Sequence, residues 1–165
     1  MRTTRFAAAL AAMAMSFGLA GCGGGGGIEG TGSAQGTMRM SMTDAPACGF
    51  DAVHVTVDRV RVHQSSTAAD ADAGWSEVVL NPVKRIDLLT LSNGVLEPLG
   101  QTDLPAGKYT QLRLVLASNT AAAPLANSVT PTGGVETELT TPSGQQSGLK
   151  LNVNIDIPVG KVADF

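Results

Sequence analysis

Leu149, Leu151, Val153, Ile155 and Ile157 alternate with Lys150, Asn152, Asn154 and Asp156. A period of two puts every apolar side chain on one side of an extended chain and every polar one on the other, a spacing that an α-helix, with its period of 3.6, cannot exploit. The stretch is therefore predicted to be a sheet strand with one wet face, and its apolar face requires a second layer to cover it. Other segments repeat the pattern. Met38, Met40 and Met42 alternate with Arg39, Ser41 and Thr43, and Leu112, Leu114 and Leu116 line a face opposite Gln111, Arg113 and Val115. Aromatic residues are few, whereas Val, Leu, Thr, Gly and Asn are plentiful, which favours strands and turns over helices. The expected fold class is all-β, a β-sandwich over residues 37–165.

The strand at 52–63 carries an irregularity. Val53, Val55 and Val57 occupy odd positions but Val60 and Val62 even ones, so the inward face switches at Asp58 and Arg59, as a β-bulge would arrange. His54, Thr56 and Asp58 then share the polar face before the bulge, and Arg59, Arg61 and His63 share it afterwards. A polar loop at 65–74 leads to a short strand at 75–80 with Trp75 assigned to the core by default. Asn81 and Pro82 are read as a turn. Ile86, Leu88, Leu89 and Leu91 fit a strand, a helical turn or one passing into the other. Asn93-Gly94 supplies the positive φ angles of a hairpin turn, with a short returning element at 95–99. Residues 117–134, rich in Ala, Asn, Thr and Pro, are expected to form a loose polar connection, and 135–140 a modest strand.

Leu104 closes a segment, Pro105, Ala106 and Gly107 turn the chain, and Tyr109 opens the next strand. A Leu-Pro-x-Gly-x-Tyr turn of this kind resembles those of transthyretin-like and immunoglobulin-like sandwiches, where the aromatic packs at the sandwich end. Taken in order, Met-Arg-Met-Ser-Met-Thr-Asp-Ala-Pro at 38–46, the Arg-Val-Arg-Val-His strand at 59–63, Asp87-Leu88-Leu89 before Asn93-Gly94-Val95, and the segment from Leu104 to Leu114 resemble domain of unknown function 4382. The resemblance covers most of 37–160. It implies a β-sandwich in an exported bacterial protein and brings no catalytic or binding residues to carry over.

The amino end has its own signature. Arg2 and Arg5 precede an apolar run from Phe6 to Leu19, too short to span a bilayer and suited to a secretory signal. Leu19, Ala20, Gly21 and Cys22 resemble the bacterial lipobox, which implies a signal peptide over 1–21, diacylation of the Cys22 thiol and cleavage before it. Residues 22–36, opening with Gly23 to Gly27, read as a flexible tether. No strand precedes these glycines and no Lys-Ser or Lys-Thr follows them, so they are not read as a phosphate cradle. Gly23 in place of Asp after the cysteine favours the outer membrane. The expected location is thus the cell envelope, with the membrane reached through a lipid on Cys22.

Without Arg2 and Arg5, nine basic residues face fourteen acidic ones, a formal charge of −5 on a mature chain of 144 residues. No basic stripe is left to bind nucleic acid. No nucleophile and base, converging carboxylate pair or complete metal set can be assembled from motifs, so no enzyme, metal or cofactor is expected. His54 with Asp58 is too small a set for a metal, and the methionines of 38–42 read as core. Asp70, Asp72 and Gly74 have an Asp-x-Asp-x-Gly arrangement, two carboxylates where calcium wants six to eight oxygens. Three functions are weighed: a non-catalytic binding or scaffolding lipoprotein, which is the expected one; a carbohydrate-binding or calcium-dependent adhesion module using Trp75, Asp70 and Asp72, with an envelope protein or a glycan as partner; and an enzyme of unrecognised type, which would need a cleft joining His54 or His63 to several carboxylates. Cys48 is an odd thiol in an oxidising compartment, and residues 162–165 read as the opening of a strand. Together they lead to the expectation that the native chain continues past Phe165 with a cysteine for Cys48.

Overall fold

The structure, a computed structural model, describes residues 34–44 and 48–165. The expected signal segment, Cys22 and the expected tether up to residue 33 lie outside the described residues. Among the described residues nine strands form two packed sheets, so the fold is an all-β sandwich. In chain order they are β1 (Gln35–Met42), β2 (Phe50–His63), β3 (Ser76–Asp87), β4 (Glu97–Pro105), β5 (Gly107–Leu116), β6 (Ser128–Pro131), β7 (Thr137–Glu138), β8 (Leu149–Ile157) and β9 (Val162–Asp164). A 3-10 segment, Leu88–Gly94, follows β3, and a short helix α1, Pro142–Gln146, precedes β8.

The smaller sheet has the order β4-β1-β9, with β4 antiparallel and β9 parallel to β1. The larger sheet is organised on β2. One side of β2 pairs with β3 from His54 to Val62; the other is shared by β6 at Phe50 to His54 and by β5 at Val57 to His63. β8 completes that sheet beside β5, and β7 beside β6. Between the layers lie Met38 and Met40 of β1, Val57, Val60 and Val62 of β2, Leu104, Tyr109, Leu112, Ile155 and Ile157, all buried. Each fully buried side chain of this size contributes about 1.5–3 kcal/mol. Tyr109 packs just after the turn, its hydroxyl donating to the Pro105 carbonyl at 2.9 Å, and burial pushes its phenol above the ordinary value of 10.0.

The bulge expected at Asp58 is present, seen as a register shift between Val57 and Arg59 against both β3 and β5. Its consequence on β3 was not legible. Val57 pairs with Lys84 and Arg59 with Val79, so Leu80 to Val83 bow out opposite one residue and Asn81-Pro82 sits inside a continuous strand rather than ending one.

Other expectations are corrected. Asn93 (φ 61°) and Gly94 (φ 81°) do adopt positive φ, but they end the 3-10 segment and send the chain across to the smaller sheet. No hairpin forms there, because β4 pairs with β1, and β4 runs to Pro105 instead of stopping near Pro98. Gly36 belongs to β1, not to the tether: a Cβ there would collide with the Pro158 carbonyl oxygen. Thr56, assigned to a wet face, is buried. The connection at 117–134 contains β6 and is anchored by the fully buried Asn127. Its Oδ1 accepts from the Thr56 amide at 2.9 Å and its Nδ2 donates to the Ala117 carbonyl at 2.7 Å.

Both faces of β5 are covered, not one. Gln111, Arg113 and Val115 are buried beneath the 65–75 loop and the turn at Gly148, whose φ of +82° and tight contact with Arg113 and Val115 leave no room for a side chain. Conversely, β8 is buried at only one end. Ile155 and Ile157 are 5% and 1% exposed, whereas Leu149 and Leu151 on the same face are 44% and 47% exposed.

Candidate functional site

The exposed half of β8 borders a cleft. The inward face of the larger sheet contributes Val60, Leu112, Leu114 and Leu151; the smaller sheet contributes Met40 and Met42 with Leu96 and Leu99; Phe165 closes one side. The volume is about 340 Å³, within the range of small-molecule sites. Only Ser41 and Thr43 add hydroxyls, and none of the lining side chains is ionisable. Among the described residues the layers are unequal, a three-stranded sheet on a six-stranded one, and Leu149 and Leu151 stay about half exposed where Ile157 on the same face is buried. Chemically the cleft is a place to hold an apolar group, with adaptable methionines on one wall.

Asp70, Asp72 and Trp75 lie elsewhere, on the outer face of the larger sheet. Arg61 of β2 and Arg113 of β5 are cross-strand partners there, an arrangement of like charges that repels unless neutralised. Asp70 Oδ1 pairs with Arg61 and, at 3.3 Å, with Arg113; Glu77 Oε1 lies 2.8 Å from the Arg61 Nε. The Trp75 ring lies over both, its centroid 4.6 and 4.8 Å from the two guanidinium carbons, and its Nε1 donates to the Ala69 carbonyl at 2.9 Å. Trp75 is thus no part of the core to which sequence reasoning assigned it. Asp72 Oδ2 accepts from the Ala69 amide at 2.8 Å. The two aspartates do not converge, since one carboxylate turns to arginines and the other to backbone. Among the described residues no group of three or more His, Cys, Asp or Glu is placed to hold a metal.

A third cluster had no signal in sequence, because its members are scattered. His54 and Ser128 are cross-strand partners, and Glu136 Oε1 accepts from Ser128 Oγ at 2.5 Å and Arg85 at 2.6 Å, with His54 Nδ1 at 3.6 Å. The Ser128 hydroxyl, with help from Arg85, holds the Glu136 carboxyl below its ordinary value of 4.5. The serine gives its hydrogen bond to the carboxylate, not to the imidazole, so this is not the arrangement of an activated nucleophile. Asp58, the other half of the conceivable metal pair, bonds instead to Arg59 at 2.6 Å. Cys48 is exposed and has no cysteine partner among the described residues.

Comparison with known proteins agrees with the motif order read from the sequence. A family model, described as a domain of unknown function (DUF4382), matches residues 35–165. No curated protein and no solved structure matches the chain. The match begins at the first residue of β1 and takes in every strand of both sheets, and on that extent the chain belongs to the DUF4382 family.

Proposed function

We propose that this protein is a lipid-anchored component of the bacterial cell envelope, held at the outer membrane through Cys22, whose sandwich is a non-catalytic binding module. The observation that carries the binding role is the cleft of about 340 Å³ between the sheets, apolar on both walls and without an ionisable side chain in its lining. Loss of water from Leu151, Leu114 and Phe165 favours any apolar group that enters. The lipobox-like Leu19-Ala20-Gly21-Cys22 supports the anchor. A carbohydrate or adhesion role centred on Trp75 is less well supported, since two guanidinium groups already lie against that ring and Asp70 is engaged by both.

Two measurements test this. With methionine methyls labelled for NMR in the mature chain, 1-heptanol should shift Met40 and Met42 in a saturable way and leave the deeply buried Met38 unmoved; three equal responses, or none, would remove the binding role. Cys22→Ser should move the protein out of the detergent phase on partitioning, and unchanged partitioning would remove the anchor.

A further inference from the structure

We infer that the 65–75 loop is a proton-sensitive strap: His63 fastens both of its ends as a neutral imidazole, and protonation of that ring releases the Ser65 end and uncovers β5. The strap lies on the outer face of the larger sheet, away from the cleft, and stands independently of the binding role. The ring is committed by its partners. The Ser65 amide donates to His63 Nδ1 at 2.8 Å, and His63 Nε2 lies 3.0 Å from the Ala73 carbonyl oxygen. An amide N–H can only donate and a carbonyl can only accept, so Nδ1 carries a lone pair and Nε2 carries the proton. Gly74 (φ +96°) allows this closeness, since a Cβ there would lie 3.0 Å from Nε2. An imidazolium has a hydrogen on both nitrogens. Its Nδ1–H would meet the Ser65 N–H, donor against donor, while the bond to Ala73 would persist.

The Ser65 end matters because it shapes the segment that covers β5. Ser65 Oγ accepts from the Thr67 amide at 3.3 Å and the Ser65 carbonyl from the Ala68 amide at 3.4 Å, a turn that sets down Ala68, only 4% exposed. The Ala68 carbonyl in turn accepts from Gln111 Nε2 at 3.3 Å and Arg113 Nη2 at 3.0 Å. Charge around the ring acts in the same direction. The titratable and charged groups there are Arg61 on its own strand, Glu77 on β3, Tyr109 and Arg113 on β5, and Asp70 and Asp72 in the loop. Asp70 is engaged by Arg61 and Arg113, Glu77 by Arg61 and Asp72 by the Ala69 amide, and among the described residues no carboxylate pairs with His63. The His63 ring centroid lies 5.1 Å from that of Trp75, so an imidazolium would join two guanidinium groups around one indole without a carboxylate of its own. Histidine is the side chain whose charge ordinarily changes between about pH 5 and 8. The fastened loop accepts only the neutral ring and the released loop accepts either form, so acid shifts the population toward release.

The test is amide hydrogen exchange of the mature chain, followed by NMR at about pH 7.5 and about pH 5. Each rate is taken relative to an unstructured chain at the same pH, which removes the intrinsic pH dependence. Protection at Ser65 and Ala68 should fall by about threefold or more at the lower pH, as expected for the loss of one hydrogen bond, while Leu112 in the core keeps its protection. His63→Gln and His63→Asn, whose side chains cannot take up a proton, should abolish the fall. His54→Gln, which replaces the other histidine of the chain, should leave it intact. Ring nitrogen shifts of the parent at the higher pH should place the proton of His63 on Nε2, a reading that does not depend on any variant folding. A proton on Nδ1 would overturn the inference, as would unchanged protection at Ser65 and Ala68 in the parent. A fall that survives both His63 variants would overturn it in favour of the carboxylates, and one lost in His54→Gln in favour of that histidine. An equal fall at Leu112 would overturn it in favour of global unfolding.

Discussion

Arg61 and Arg113 face each other across β2 and β5, and Asp70 meets both guanidinium groups from the loop that covers them. Two like charges side by side on a partly covered sheet face are tolerated because a carboxylate bridges them and an indole lies over them. The loop at 65–75 is therefore latched to the sheet by charge and stacking as well as by the buried Ala68, whose carbonyl accepts from Gln111 and Arg113.

Asp70→Ala should destabilise the fold by about 1–2 kcal/mol, more than an exposed pair usually costs, because the Arg113 side chain is nearly covered. In an Arg61→Ala background the same change should cost less, since one of the facing charges is already gone. Urea unfolding followed by Trp75, the single tryptophan, provides the measurement. Equal costs in both backgrounds would show that the bridge is not coupled.

Along β8, truncations on one face should differ by position. Ile155→Ala and Ile157→Ala should each cost about 2–5 kcal/mol, because both side chains are fully packed. Leu149→Ala and Leu151→Ala should cost about 1 kcal/mol or less, because water already reaches them. Thermal or urea unfolding of the four variants would show the gradient, and a uniform cost would contradict the open cleft.

Asn127→Ala should be among the most damaging polar replacements. It leaves the Thr56 amide and the Ala117 carbonyl without their partner in a buried setting, at about 1–3 kcal/mol for each group left unsatisfied. Asn154→Ala, on the wet face of β8, should change stability by under about 0.5 kcal/mol. Hydrogen exchange at Thr56 should accelerate in the first variant and not in the second.

Glu136 should contribute to acid sensitivity. Its carboxyl is held below the ordinary value by Ser128 and Arg85, so the unfolded chain takes up the proton first as pH falls. The stabilisation is complete above about pH 4.5, the unfolded value, and is lost as pH drops through the lower folded value. Glu136→Gln should flatten the decline in stability between pH 5 and 3 relative to the parent. An unaltered acid profile would exclude Glu136 as a contributor.

Period-two patterning made the sandwich legible, because alternation along one chain depends only on the geometry of that chain. By itself the sequence determined that 149–157 and 37–43 are strands, that β2 bulges at Asp58, that Pro105 to Gly107 reverse the chain before a buried Tyr109, and which family the motif order resembles. Which strand neighbours which was not available to it, since pairing depends on residues far apart: Asn93-Gly94 has local hairpin chemistry, yet β4 is claimed by β1. The same limit hid the site. Leu151 and Ile155 are indistinguishable by pattern, and what separates them is packing between the layers, which buries Ile155 to 5% exposure and leaves Leu151 at 47% beside the cleft. Only the tertiary structure, by laying a narrow sheet on a wide one, decided where apolar surface stays open, and only the register of β2 against β5 brought two arginines together beneath Trp75.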